Sequence, residues 1–269
     1  PAAHPGQALA ARMTGAASLP PSPSPRLPTG HRVFAVGDIH GRVDLLRTLH
    51  SRIRRELETK PSGRNLIVYL GDYIDRGGHS REVVDCLLDD GVAGAEAVHL
   101  MGNHEEFLLT FLDAPEDNSV WLFNGGDATL GNYGVDVSDP TLQADGLTWL
   151  RDELVRHLPP RHLDFFRRLT YWHSEGDFFF VHAGLRPGVA LEEQSRHDML
   201  WIRHEFLEST ADFGKIVVHG HSPLNEVCQR PNRIGIDTGA YSTDVLTAIV
   251  LEGSERHFIQ TGAQSGIAA

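Results

Sequence analysis

Five glycine-containing segments constrain this chain most, because each follows a short apolar run of strand length and carries acidic, amide or imidazole side chains. They are Gly37-Asp-Ile-His-Gly41, Gly71-Asp-Tyr-Ile-Asp-Arg-Gly77, Gly102-Asn-His-Glu105, Val181-His-Ala-Gly184 and Val218-His-Gly-His221. Ligands bind beyond the carboxyl ends of the strands in an open α/β sheet, so five such ends can converge on one site. Glycine lets the backbone turn sharply and approach that site closely. The pattern predicts an α/β fold with one polar centre.

The order of apolar runs and amphipathic stretches favours a sheet with largely parallel pairing. Strands are predicted over 33–36, 66–70 and 97–101, and each is followed by a helix, over 43–58, 80–89 and 104–112. A long loop is expected over 115–146, with helices over 147–157 and 160–169. A hairpin over 170–181 and strands at 216–219, 233–236 and 245–251 follow. In total we expect eight or nine strands and five or six helices.

The domain organisation predicted from composition is a single ordered domain with two tails. Residues 1–31 contain seven of the 15 prolines and no acidic residue, which predicts a disordered tail. The ordered domain is expected over 32–253, with 115–170 as a loop and helical cap inserted within it. Residues 254–269 are expected to form a C-terminal tail.

Composition excludes several classes of protein. The chain has 24 basic and 36 acidic residues, a net charge of −12, which argues against a nucleic-acid partner. No apolar run approaches the roughly 18 residues that a membrane helix needs. Two cysteines, Cys86 and Cys228, cannot form a disulfide framework, so a reducing cytoplasm is expected. The 16 histidines suggest metal or acid–base chemistry where they lie in motifs.

The ligand types in the five segments are carboxylate, imidazole and amide, with no thiolate. Such hard and borderline donors suit manganese, iron or zinc. A carboxylate between two ions can bridge them, and two metals about 3.5–4 Å apart can clamp a phosphoryl group for in-line attack.

Together and in this order, the segments resemble the phosphoprotein phosphatases, dinuclear metallophosphatases of the calcineurin-like metallophosphoesterase superfamily. The family pattern GDxHG, GDxxDRG, GNHE, HAG and a late GH before serine or threonine is matched at 37–41, 71–77, 102–105, 182–184 and 220–222. The compact length is similar to that of the bacterial and phage branch. The resemblance implies a β-sandwich of two mixed sheets flanked by helices, an αββα arrangement.

The resemblance also implies a role for each matching residue. The implied metal ligands are Asp38, His40, Asp72, Asn103, His182 and His221, with the first two on one ion, Asp72 on both and the last three on the second. His104 is the implied general acid, oriented by Asp75. Arg76 and Asn103 are implied to bind the substrate phosphate. A second phosphate-binding arginine is expected in a W-x-R setting, which Trp201-Ile-Arg203 fits. Arg186 and Arg196 are the alternatives to Arg203.

Some of these residues also suit structural roles. Asn103 is a good N-cap for the predicted third helix, and His182 could be a buried histidine of the core. His219 and His221 alternate along an extended segment, so only one is expected to face the metals, and the family pattern selects His221. Tyr241 is a candidate lining residue of the substrate cleft. The segments 124–127 and 131–134 either gate the site or form a flexible surface loop.

The implied activity is hydrolysis of phosphate monoesters by direct attack of a metal-bridging hydroxide on phosphorus. The expected substrates are phosphoserine and phosphothreonine in proteins or peptides, with phosphotyrosine possible as well, and the expected cofactors are two divalent ions, manganese before iron or zinc. A dinucleoside-polyphosphate hydrolase is the alternative. Its relatives tend to lack the full GDxxDRG and carry GNHD, so Asp75, Arg76 and Glu105 favour the phosphatase. An inactive phosphoprotein-binding module is a third hypothesis.

Overall fold

Two five-stranded mixed β-sheets form the centre of the protein in a computed structural model, which describes residues 24–137 and 146–262. The strands in these residues are β1 (His31–Val36), β2 (Arg64–Tyr69), β3 (Glu96–His99), β4 (Trp172–Glu175), β5 (Phe178–Val181), β6 (Ile216–His219), β7 (Cys228–Gln229), β8 (Arg233–Gly235), β9 (Thr247–Glu252) and β10 (Glu255–Gln260). The first sheet has the order β10-β9-β1-β2-β3 and the second β4-β5-β6-β8-β7.

Parallel pairing occupies the middle of each sheet. β1 pairs in parallel with β2, and β2 with β3, whereas β9 runs antiparallel to both β1 and β10. In the second sheet β5, β6 and β8 are parallel, and β4 and β7 are antiparallel edge strands. Most of β1 is buried on both faces, which explains its continuous apolar sequence.

Helices cover both outer faces of this sandwich. Those in the described residues are α1 (Val43–Thr59), α2 (Ser80–Asp89), α3 (Asn103–Asp113), α4 (Asp127–Asn132), α5 (Gly146–His157), α6 (Pro160–Arg168), α7 (Arg196–Trp201), α8 (His204–Leu207) and α9 (Ala240–Thr243). Buried apolar residues recur every three or four positions in α1, at Val43, Leu46, Leu49 and Ile53, as a helix packed on a sheet requires. None of these helices combines the length and the apolar character that crossing a bilayer requires.

Alternation of side chains along the strands separates three apolar layers. Val33 and Ala35 of β1 point between the sheets, where they join residues of the second sheet such as Phe178 and Ile234. Phe34 of β1 faces the opposite layer, which α1 to α6 cover. A third cluster lies under α7 and α8. The predicted αββα sandwich of two mixed sheets is therefore confirmed.

Both predicted tails contribute to the fold where the structure describes them. Residues 24–31 were expected within the disordered tail, but Leu27 is buried between the sheets and its N–H donates to Gly253 O at 2.9 Å. The part of that tail at 1–23 lies outside the described residues. Residues 255–260 were expected in the C-terminal tail and instead form β10, paired along its whole length with β9. Edge pairing to a buried strand fixes this polar segment.

The described parts of the segment 115–170, residues 115–137 and 146–170, flank the sandwich and are more helical than the sequence suggests. Residues 122–126 form a π-helical turn and continue into α4, where a loop was expected. Gly125 has φ 102°, so a glycine that marks a helix breaker in sequence here permits the kink between two helical pieces. Helices α5 and α6 pack through Leu150, Leu154 and Phe166 into the cluster that contains α3. The ten strands and nine helices of the described residues exceed the predicted numbers.

Candidate metal centre

The five glycine-containing segments meet at one edge of the sandwich, beyond the carboxyl ends of β1, β2, β3, β5 and β6. Backbone hydrogen bonds join them in pairs: the N–H groups of Ile39 and His40 donate to Asp72 O at 3.0 and 2.9 Å, and Gly220 N–H donates to His182 O at 2.8 Å. Three of the segments, 37–41, 71–77 and 218–221, line a cavity of about 200 Å³. Its lining residues are Asp38, His40, Asp72, Arg76, Arg203, His221, Pro223, Asp237 and Tyr241.

Asp72 lies at the centre of this arrangement, and its two carboxylate oxygens face different imidazoles. Oδ2 is 3.5 Å from His40 Nε2 and 3.9 Å from His104 Nε2, and Oδ1 is 3.4 Å from His182 Nε2. Asp72 belongs to both groups of candidate ligand atoms that lie within 4.8 Å of one another, one with His40 and His104 and one with His182 and His221. Asp72 is therefore placed where its carboxylate could serve both groups.

The second group consists of lone pairs that face one another. His182 Nδ1 donates to Leu70 O at 2.8 Å, so the Nε2 of the neutral ring carries only a lone pair. That Nε2 lies 2.9 Å from Asn103 Oδ1 and 3.1 Å from His221 Nδ1, and His221 Nδ1 lies 2.8 Å from the same amide oxygen. Of these three atoms only His221 Nδ1 can carry a proton, so the 2.9 Å contact between His182 Nε2 and Asn103 Oδ1 joins two acceptors, and a cation among them would relieve it. The residues present therefore fit a bound metal ion.

His40 repeats this orientation on the other side of Asp72. Its Nδ1 donates to Ile74 O at 2.8 Å, which leaves Nε2 free to face the Asp72 carboxylate. A carbonyl partner that fixes the tautomer of a histidine is typical of metal ligands. Burial lowers the pKa of His40 to about 3 and that of His221 to about 2, so both imidazoles remain neutral, as metal ligands must be.

Asp38 lies in the same cavity but is placed differently from the other predicted ligands. Both of its carboxylate oxygens accept the backbone N–H of His221, at 3.2 and 3.0 Å. It thus connects the end of β1 to the loop after β6. The group of close ligand atoms on this side contains His104 together with His40 and Asp72, whereas the resemblance places Asp38 there.

Backbone strain is concentrated at this centre. Six non-glycine residues in the described part of the chain have positive φ, and five of them are His40, Asp72, Asp75, Arg76 and His221. Such conformations cost of order 1–3 kcal/mol each and persist at functional sites because the surrounding structure holds them.

Close backbone approach explains two of the glycines. A Cβ on Gly102 would collide with the backbone N and side chain of Asp72, and one on Gly220 would collide with the Asp38 carboxylate. Larger residues at these two positions would displace the ligands.

Glu105 holds the Asp72 loop from below. It is fully buried, and it accepts the backbone N–H groups of Asp72 and Tyr73, each at 2.8 Å, and of Gly102 at 3.0 Å. It also closes a capping box at the start of α3. Because Glu105 has no exposed surface and both of its oxygens accept backbone N–H groups, it orients a ligand loop.

His104 is oriented by a buried carboxylate, as the resemblance implies. Its Nδ1 donates to Asp75 Oδ2 at 2.7 Å, and Asp75 also accepts from Trp121 Nε1 at 2.8 Å and Thr129 Oγ1 at 2.5 Å. Burial opposes the charged imidazolium, but the charge of Asp72 and the bond to Asp75 outweigh it and raise the pKa of His104. The arrangement favours a proton on His104 that can be donated from Nε2.

Two arginines line the cavity beside these groups. Arg76 has its Nη2 3.3 Å from His104 Nε2 and its Cζ 4.8 Å from the centre of the Tyr241 ring. Arg203 lines the same cavity, and its charge helps to lower the pKa of His221. The alternatives are engaged elsewhere, because Arg186 pairs with Asp198 and Arg196 lies over the Tyr171 ring.

The structure thus brings all ten predicted site residues to one centre. It also adds residues that the sequence interpretation missed. Asp237 lines the cavity, and Trp121 and Thr129 hold Asp75. Asp237 lies two residues after β8 and could have been found as another acidic residue at a strand end. No sequence pattern links Trp121 or Thr129 to Asp75, because they are 46 and 54 residues away.

Comparison with protein families gives a match over most of the chain. Residues 31–248 match the sequence profile of the family described as calcineurin-like phosphoesterase. One curated relative is the asymmetrical bis(5'-nucleosyl)-tetraphosphatase PrpE of Halalkalibacterium halodurans. It is 24% identical over 235 residues, which are 80% of this chain and 87% of the relative.

Solved structures share the fold at lower identity. A protein provisionally described as a diadenosine tetraphosphatase superposes with a TM-score of 0.59 and 20% identity, over 87% of this chain and 95% of that one. A cold-active protein tyrosine phosphatase superposes with a TM-score of 0.54 and 17% identity, over 87% of this chain and 81% of that one. The fold therefore occurs in proteins with different substrates.

Proposed function

Because the chain belongs to the calcineurin-like phosphoesterase family, we propose that this metal-dependent phosphoester hydrolase is a protein phosphatase acting on phosphoserine and phosphothreonine. The observation that carries the proposal is the size and lining of the cavity. At about 200 Å³ it is smaller than the roughly 300–1,000 Å³ of cavities that enclose whole ligands. Two guanidinium groups, those of Arg76 and Arg203, line it beside the candidate metal ligands. Such a cavity suits one phosphoryl group whose remaining ester stays outside.

The metal ions that we propose are two divalent cations, with manganese before iron or zinc. One would be held around His40 and Asp72, with Asp38 beside them, and the other by Asp72, Asn103, His182 and His221. When bound, such ions activate water for attack on phosphorus and neutralise phosphoryl charge. The two oxygens of Asp72, which face His40 and His182, would each contact one of the two ions.

The remaining site residues bind the substrate phosphate and protonate the leaving group. Arginine forks match phosphate oxygens in a planar, bidentate manner, which is the role that we propose for Arg76 and Arg203. His104 holds a proton on Nε2 and gives it to the departing alkoxide. Asp75 keeps the ring in the tautomer and orientation for this transfer.

Asymmetrical hydrolysis of dinucleoside tetraphosphates is the second candidate, and the PrpE relative supports it. The sequence argument against this candidate relied partly on Glu105, because dinucleoside-polyphosphate hydrolases tend to carry aspartate at that position. Because Glu105 is fully buried and its oxygens accept the backbone N–H groups of Asp72, Tyr73 and Gly102, it does not select substrates by contact. The difference between the two candidates therefore lies in what binds outside the cavity.

A direct comparison of substrates tests the proposed function. The metal-loaded protein is given a phosphoserine peptide and diadenosine tetraphosphate in separate assays, and kcat/KM is measured for each. We expect the peptide to have the larger value, and turnover of the nucleotide alone would refute the proposal. Chelation should abolish the activity and manganese should restore it, whereas a binding module would show no metal-dependent turnover.

Arg76→Ala is expected to weaken phosphate binding. The variant removes a charge-assisted, bidentate contact worth roughly 1.5–3 kcal/mol, so kcat/KM should fall about 10- to 150-fold, and inhibition by inorganic phosphate should weaken similarly. Steady-state kinetics and phosphate inhibition constants measure both effects. Arg186→Ala is the control, because Arg186 pairs with Asp198 away from the cavity. Unchanged KM and kcat in Arg76→Ala would contradict the assignment.

A further inference from the structure

The π-helical turn Leu122–Gly126 presents an unusually exposed aromatic residue next to the candidate site. Phe123 is 88% exposed, and Val120, three residues earlier on the same helical surface, is 48% exposed. Trp121 between them is completely buried. The two exposed side chains therefore form a small apolar patch on a segment that is anchored from beneath.

The anchors of this turn are the same residues that orient the proposed acid and bind phosphate. Trp121 Nε1 donates to Asp75 Oδ2 at 2.8 Å, and Arg76 N–H donates to Gly125 O at 3.3 Å. A Cβ on Gly125 would collide with the Arg76 backbone, so these segments are in direct contact. Phe123 Cα is two residues from Gly125 and so lies at most about 7 Å from its Cα.

The size of the cavity determines which part of a substrate can contact this turn. A phosphorylated residue whose phosphoryl group enters the cavity of about 200 Å³ leaves its neighbours outside, on the side where the exposed Arg76 lies. An extended peptide advances roughly 3.3–3.6 Å per residue, so one or two residues span the distance of at most about 7 Å between Gly125, which contacts Arg76, and Phe123. Exposed aromatic side chains on a firmly anchored segment are typical contact residues, since little conformational freedom is lost on binding.

We propose that Phe123, with Val120 beside it, binds an apolar side chain one or two positions from the phosphorylated residue of a protein substrate. The assignment makes Phe123 a specificity-determining residue and rests on the protein phosphatase function proposed above. Burial of a leucine side chain against this patch is expected to raise kcat/KM about fivefold over alanine at the same peptide position.

Four pairs of phosphoserine peptides test this assignment. Each pair differs only by leucine or alanine at one of the two positions on either side of phosphoserine, and the ratio of their kcat/KM values is measured on the manganese-loaded, full chain. Both peptides of a pair are assayed on one variant, so a change in its active fraction cancels. The variants are Phe123→Ala, the conservative Phe123→Tyr, and Val155→Ala as a control, since Val155 is 53% exposed on α5.

In the wild-type protein we expect one pair to show the fivefold preference for leucine. Phe123→Ala should reduce that ratio to near one, and Phe123→Tyr and Val155→Ala should retain it. A ratio that stays at fivefold in Phe123→Ala, or no preference in the wild-type protein at any position, overturns the assignment while phosphopeptide turnover preserves the proposed function. If only diadenosine tetraphosphate is turned over and Phe123→Ala lowers its kcat/KM, the aromatic ring stacks on a base, and both proposals are wrong.

Discussion

Asp72→Asn is expected to abolish both metal binding and phosphoester hydrolysis. The two oxygens of Asp72 face His40 Nε2 and His182 Nε2, at 3.5 and 3.4 Å. Asparagine replaces one of them with an NH₂ group and removes the negative charge between the two cation positions. Loss of a hydrogen-bonding partner behind a ligand already costs about 10- to 100-fold in metal affinity, so loss of a shared ligand should cost at least about 100-fold. Elemental analysis after dialysis and turnover of a phosphopeptide measure the two effects.

The backbone at Asp72 makes this substitution interpretable. Asp72 has φ 53°, a left-handed conformation that asparagine adopts more readily than most residues, so the loop should keep its path. Asp244→Asn is a matched control, because Asp244 has φ 60° and its side chain pairs with Arg42 outside the cavity lining. A protein that retained two ions per chain after Asp72→Asn would exclude the shared-ligand role.

The first half of the fold was predictable because its signals are local. The strands β1 and β2 are buried apolar runs, and α1 and α2 carry buried residues at helical spacing, so element type and order follow from the sequence. The start and end of α2, Ser80 and Asp89, agree with the prediction to the residue. Convergence of the five loops also follows, since it needs only strand ends at one edge of the sandwich.

The edges of the fold were not predictable in the same way. β10 was predicted to be a tail because it begins with three polar residues, Glu255, Arg256 and His257, all of which are exposed. Its strand conformation depends on pairing with β9. Leu27 is one apolar residue among prolines, and only the space between the sheets explains its burial. Tertiary contacts, and not local composition, therefore determine the conformation of these two segments.

The candidate site likewise has a part that the sequence predicts and a part that it does not. The residue types around the candidate metal positions follow from five short motifs, but their partners come from remote parts of the chain. Asp75 is held by Trp121 and Thr129, and neither has a sequence signal that predicts this contact. The orientation of Asp38 toward the His221 N–H likewise depends on how closely Gly220 approaches it.

His104→Asn is expected to lower kcat while leaving the metal content unchanged. The structure allows two roles for His104: its Nε2 belongs to the candidate ligand group with His40 and Asp72, and its Nδ1 donates to Asp75 as an oriented acid would. As the general acid, it should contribute about 10²–10⁴-fold to the rate for a poor leaving group such as a serine alkoxide. For p-nitrophenyl phosphate the loss should be much smaller, because that leaving group departs without a proton.

Measurements on two substrates and one metal assay separate these roles of His104. The control His204→Asn changes an exposed histidine that pairs only with Glu208 among the described residues, and it should change neither quantity. A fall in metal content after His104→Asn would make His104 a ligand, and equal losses of kcat for the two substrates would argue against proton donation. A large loss for the phosphopeptide, a small loss for the aryl phosphate and two retained ions would together assign the proton to His104, because only the step that needs it would have slowed.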